Sequence, residues 1–208
     1  MKTNVREHRA LGVGSTDMAA RKVTGRGSLA TLLALGILTC AAAAWWAWAG
    51  HWMTAIALVI VAPMAGRAIA TDLATKRLPN PLVAATAAVG ITYAAVEAIA
   101  GRPGALVGAG LGAVAAMLPM FVVHLASSGQ LGFGDVKFAG ALGLLAGAAH
   151  PLYALVIPLV ASTLGLIGGL GHGGRRRAFG PAIAAGAVAS MALTPLWLRS
   201  IGGPVLWV

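Results

Sequence analysis

Five acidic residues occur in 208, so few carboxylates are available for chemistry. Glu7 and Asp17 lie in a polar N-terminal stretch. Glu97 stands five residues before Arg102 and reads as half of a loose charge pair near the outer membrane surface. Asp72 and Asp135 remain, each at the edge of a long apolar run, in Thr71-Asp72-Leu73-Ala74-Thr75-Lys76-Arg77-Leu78-Pro79-Asn80 and Leu131-Gly132-Phe133-Gly134-Asp135-Val136-Lys137. An acidic residue at the edge of hydrocarbon is costly and is a functional candidate by default. Two carboxylates that meet cannot both ionise cheaply, so they share a proton. Such a pair suits amide hydrolysis: one member takes a proton from water while the other hydrogen-bonds the scissile carbonyl. The competing reading is that each aspartate pairs with a nearby base, as Asp72 could with Lys76 at i+4. Spacing alone leaves both readings open. Gly132 and Gly134, flanking Phe133, favour the catalytic one, because they let a substrate strand come close. Asp135 also stands where a helix begins and can cap its free amides.

Other reactive types offer less. Ser127 and Ser128 have no plausible base beside them. His124, near the end of an apolar run, reads as a satisfied or snorkelling histidine and not as a catalytic group. Cys40 is the single cysteine, so neither an internal disulfide nor a Cys-pair metal site can form. No metal or cofactor is expected.

The elements that must bring the aspartates together are membrane helices. Apolar residues make up 59% of the chain and charged residues 10%, against about 25% charged in ordinary soluble domains. Apolar runs long enough to span hydrocarbon recur, and the alternation of a membrane β-barrel is missing. The expectation is an all-α polytopic membrane helix bundle of about seven spans: Leu29–Ala49, Trp52–Thr71, Pro81–Ala100, Ala105–Ala126, Val136–Ala149, Leu152–Leu170 and Pro181–Leu198. The fifth is short for a crossing. Residues 1–27 read as a disordered basic tail, 28–50 as an extra N-terminal span, and 51–208 as a six-span core. Small-xxx-small pairs, Gly108/Gly112, Gly143/Gly147 and Gly165/Gly169, would let helices approach closely. Prolines 63, 119, 158 and 195 fall inside spans and should kink them.

The net charge is +10. In a soluble protein this would suggest nucleic acid. Here the bases sit in tails and loops, so anionic lipid is the expected partner and nucleic acid is not. With the N-terminus in the cytoplasm, 13 of the 15 Lys and Arg residues, including Lys76, Arg77, Lys137 and Arg175–Arg177, fall on the inner side, leaving Arg102 and Arg199 outside. That orientation puts Asp72 and Asp135 at the cytoplasmic face of an inner membrane.

Three segments together resemble the type IV prepilin peptidases, membrane aspartic peptidases of the GxGD type. Asp72 through Asn80 is similar to the family's Asp, basic residues and Ile/Leu-Pro-Asn. Gly132-Phe133-Gly134-Asp135-Val136-Lys137 matches GxGDxK. Phe179-Gly180-Pro181, after the arginine loop, resembles the Phe-Gly-Pro that enters the last span. The likeness covers roughly Trp52 to Leu198. It implies Asp72 and Asp135 as the catalytic pair, with Pro79, Asn80, Gly132, Phe133, Gly134, Lys137, Gly180 and Pro181 in support. It also implies a substrate class: prepilin or pseudopilin precursors, with a basic leader, a small residue before the cut and an apolar helix after it. Family members that N-methylate the new terminus carry a domain with two Cys-pair motifs. Those motifs are missing here, so a peptidase without methyltransferase activity is expected. Signal-peptide-peptidase-type proteases share GxGD but precede the first aspartate with Tyr, where this chain has Thr71. The reading from another class is a small ion-coupled transporter using the aspartates.

Overall fold

The computed structural model describes residues 26–127, 131–169 and 178–200. The basic tail before residue 26, Ser128 and the Arg175–Arg177 loop lie outside the described residues. Among the described residues the chain is all-helical, without strands. The helices are α1 (Arg26–Trp48), α2 (Trp52–Thr75), α3 (Asn80–Ile99), α4 (Gly104–Ala126), α5 (Phe133–Ala149), α6 (Val156–Gly169) and α7 (Gly180–Ser200), with a 3-10 turn at Pro151–Leu155 between α5 and α6. Helices α1 to α4 are long and apolar enough to cross a membrane, and the described apolar stretches of the later helices are shorter. The bundle's outer surface is itself apolar, with Leu33, Ile37, Val59, Leu118, Leu159 and Leu166 exposed. Water would not tolerate so much exposed hydrocarbon, but lipid does. The fold is that of a helical membrane bundle.

Helix α5 is the axis of the bundle. Asp135, Val136, Phe138 to Gly143 and Leu145 to Ala149 are all buried, on every side of the helix. An apolar helix without a polar face has to be surrounded. Glycine makes room for this. A Cβ on Gly112 of α4 would stand 2.5 Å from the Gly143 carbonyl oxygen, and one on Gly143 would stand 2.5 Å from the Gly112 oxygen. Gly108 and Gly147 repeat the contact one turn along. Two of the three expected small-residue pairs therefore face each other and join α4 to α5 backbone to backbone. Gly165 of α6, from the third pair, lies under the Phe179 ring instead.

Pro195 has its own consequence in α7. It carries no N–H, so the Met191 carbonyl four residues earlier has no helical donor. The indole Nε1–H of Trp46, on α1, donates to that oxygen at 2.9 Å. Trp46 is buried, and this bond joins α1 to α7.

Polar side chains gather at the bundle end remote from Asp72. Arg102, in the α3–α4 turn, donates from Nη1 to Glu97 Oε2 at 2.8 Å, and its Nη2 reaches the Ala148 and Ala149 carbonyls at the end of α5. Thr54 and Tyr93 hydroxyls pair at 2.6 Å. Glu97 is buried, so the pair is not the loose surface contact expected from sequence. The reason is local: Arg102 satisfies both the carboxylate and two orphan carbonyls of a helix end. Arg102→Gln should therefore leave a buried charge short of its partner and cost roughly 1–3 kcal/mol. In detergent it should lower the melting midpoint, and the double variant with Glu97→Gln should recover part of the loss. Equal midpoints for wild type and Arg102→Gln would contradict this.

His150 caps the 3-10 turn. Its Nδ1 accepts the Leu152 N–H at 3.3 Å, and its ring lies 4.8 Å from that of Tyr153. An accepting Nδ1 carries no proton. Burial also pushes the imidazole below its ordinary value of 6.5. The unfolded chain then binds this proton more tightly than the folded one. Stability from this site is complete above pH 6.5 and is lost as pH falls from there towards the lower folded value. The melting midpoint should drop as pH falls below the ordinary imidazole value of 6.5, and His150→Gln should flatten that slope. An identical slope in the variant would refute the assignment.

Candidate active site

Asp72 lies in the last turn of α2, with 3% of its surface exposed. Helix α2 runs past the expected end at Thr71 to Thr75, which places Asp72 inside it. It stops at Lys76, whose backbone is left-handed with φ 55° and whose N–H closes on the Asp72 carbonyl at 2.7 Å. The chain must turn here because Leu78 precedes a proline and is disfavoured in a helix. Pro79 then serves as N-cap of α3, and Asn80 is that helix's first residue.

The Asp72 side chain meets a segment 108 residues away. Its Oδ2 accepts the Gly180 N–H at 2.9 Å. Gly180 begins α7, so the carboxylate faces the amide end of a helix, where negative charge is favoured. A Cβ at position 180 would stand 2.9 Å from that same oxygen, so only glycine lets the helix end approach this closely. Phe179 holds the segment from the other side, its ring against Gly165 of α6. Pro181 falls in the first turn, where a missing N–H costs nothing.

Asp135 sits in the first turn of α5, which begins at Phe133 and not at the expected Val136. Its Oδ2 accepts the Gly132 N–H at 3.0 Å, and its own N–H donates to the Gly132 carbonyl at 3.0 Å. The aspartate thus caps the helix that carries it. It is 6% exposed. Gly134 lies against the first motif: a Cβ there would stand 3.3 Å from Leu78 Cβ. The Asp72–Asn80 and GxGD segments are therefore in contact, and both buried aspartates belong to one end of the bundle.

The remaining expected residues sit around this end. Lys137 extends its ammonium over the Phe133 ring, 5.0 Å from the centroid. Together with Asn80 it lines an open groove of about 420 Å³ between α3, α4 and α5. A larger apolar cavity of about 480 Å³ lies between α1, α2, α5 and α7, lined by residues including Leu35, Val61, Ile69, Leu142, Ala184 and Met191. Ile69 stands one turn before Asp72 and Ala184 one turn after Gly180, so both helices carry the cavity wall into the aspartate end. Sequence reasoning named Leu78 only within the first motif and Gly165 only as half of a small-residue pair, and assigned neither as a support of the site. It also left His124 without a task. Among the described residues no group of three or more His, Cys, Asp or Glu could hold a metal ion.

No curated protein and no solved structure matches the chain. The model of the type IV leader peptidase family matches residues 59–170, more than half of the sequence. That stretch includes Asp72 and the GxGD segment, and Gly180 follows it by ten positions. The chain belongs to the type IV leader peptidase family and is a membrane peptidase of that kind.

Proposed function

We propose that the protein is an aspartic endopeptidase that removes the leader of prepilin- or pseudopilin-like precursors, with Asp72 and Asp135 as the catalytic pair. The observation that carries the reading is two buried aspartates at one end of an apolar bundle, each receiving a glycine N–H. A carboxylate kept from water without such a donor would be costly. The backbone amides occupy one oxygen of each group, and the pair holds one shared proton. The ionised member draws a proton from water, which attacks the scissile carbonyl. The protonated member gives its proton to the carbonyl oxygen. When the C–N bond of the resulting gem-diol breaks, the first member delivers the proton it took from water to the departing amine, and the second recovers its own from a gem-diol hydroxyl.

The apolar cavity supports the substrate class. The apolar lining between α1, α2, α5 and α7, in continuity with the aspartate end, suits apolar side chains of the segment that follows the scissile bond. The basic loops favour a cytoplasmic position for that end in the inner membrane, and a precursor's basic leader would remain in water there.

The test is direct. A tagged precursor with a basic leader, glycine and apolar helix is incubated with purified enzyme in detergent, and the product is read by mass spectrometry. One cut after the glycine is expected. No product from any such precursor, together with uptake of ions by vesicles holding the protein, would replace this reading with a transporter.

A further inference from the structure

We propose that His124 is a positioning residue for Asp135, acting through the peptide between Leu131 and Gly132. The inference rests on Asp135 being catalytic. His124 lies in the last turn of α4, and its Nδ1 stands 2.7 Å from the Leu131 carbonyl oxygen. A carbonyl can only accept, so Nδ1 carries the hydrogen.

That carbonyl belongs to the same peptide unit as the Gly132 N–H, which donates to Asp135 Oδ2 at 3.0 Å. A trans peptide is planar, with C=O and N–H pointing in opposite directions. Fixing the oxygen on one side therefore fixes the direction of the N–H on the other. The order is imidazole N–H to carbonyl, then amide N–H to carboxylate, and each bond polarises the next.

The surroundings hold this peptide in one orientation. Leu131 is 1% exposed. Its N–H donates to Ser127 Oγ at 3.2 Å, and that hydroxyl donates to the His124 carbonyl at 3.2 Å. The imidazole stacks on Phe121 with centroids 6.2 Å apart and leans on Phe133 at 5.9 Å. Lys137 covers the Phe133 ring. Gly132 adds the space, since a Cβ there would stand 3.2 Å from Asp135 Oδ2. These contacts explain why a histidine here differs from one merely satisfied by the nearest backbone group. Its partner is the one carbonyl whose peptide also serves the aspartate.

His124→Phe keeps an aromatic ring between the two phenylalanines and removes the donor. His124→Asn returns an N–H close to the position of Nδ1. In the precursor-cleavage assay, His124→Phe should lower kcat about tenfold, the scale of one hydrogen bond, with KM within about twofold. The acidic limb of its pH–rate profile should move upward by roughly half a pH unit, because the Asp135 anion loses support. His124→Asn should recover most of both effects. A wild-type profile in His124→Phe overturns the proposal, as does equal impairment of the Phe and Asn variants. If His124→Phe fails to fold, the wild-type protein still decides: histidine-labelled ¹⁵N spectra, assigned by the signal lost in His124→Asn, should show His124 protonated at Nδ1 above neutral pH. A neutral ring protonated at Nε2 overturns it. Asp135→Asn is run in parallel. Full activity there would remove the active-site reading and this inference together, whereas an inert Asp135→Asn beside an unaffected His124→Phe would remove this inference alone.

Discussion

Asp72→Asn and Asp135→Asn are each expected to lower precursor cleavage by at least about 10³-fold, the upper range for losing a general acid or base. The two variants keep the shape of the side chain. An amide oxygen can still accept the Gly180 N–H at position 72, or the Gly132 N–H at position 135. The α2 end and the α5 cap should therefore survive, and the purified variants should elute and melt much like wild type. What disappears is the exchangeable proton. An amide neither takes a proton from water nor donates one from an acid, so a single replacement disables the pair. The double variant should be little worse than either single one, because residues acting as a unit are not additive. Substantial activity in either single variant would show that the two aspartates do not perform the chemistry. Loss of the folded protein would instead assign them a structural task.

Gly180→Ala is expected to have the second-largest effect, about 10²-fold in kcat. The added methyl would lie 2.9 Å from Asp72 Oδ2, where no relaxed Cβ contact occurs. The oxygen cannot give way freely, because Gly180 is also its hydrogen-bond donor. Either α7 retreats or the carboxylate turns, and a displacement of about 1 Å at a reacting group costs on the order of 100-fold. KM should change less than kcat, since the methyl lies at the carboxylate and not along the apolar cavity. Alanine is a better helix former than glycine, so reduced activity here would not reflect a weaker α7. Wild-type kcat in Gly180→Ala would mean that this contact is not kept in the working enzyme.

The two aspartates are legible in the sequence because hydrocarbon makes acids rare. With five acidic residues in 208, Asp72 and Asp135 stand out at the ends of apolar runs by hydropathy alone. Helix positions are legible for the same reason: α1 to α4 lie close to the apolar runs that predict them. The boundaries next to the site are less so. Hydropathy stops at the first charged residue, whereas backbone hydrogen bonding continues, so α2 extends beyond Asp72 and α5 begins before Asp135.

Contacts distant in sequence leave no local trace. The Phe179-Gly180-Pro181 segment is recognisable as a pattern, but its hydrogen bond to Asp72 depends on how α7 docks against α2. The distance of Glu97 from Arg102 along the chain says nothing of the α5 carbonyls that share the guanidinium. His124 looks idle in the sequence because its partner, Leu131, is a carbonyl provider of no distinctive type.

The glycine seam between α4 and α5 restricts how this enzyme can rearrange. Two backbones interlocked at four glycines can neither slide a turn nor roll without driving a carbonyl into a neighbouring Cα. The pair behaves as a single keel that carries the GxGD segment at one tip. Any shift that changes the separation of the two carboxylates during turnover must then be made by the helices bearing Asp72 and Gly180, travelling against a fixed Asp135.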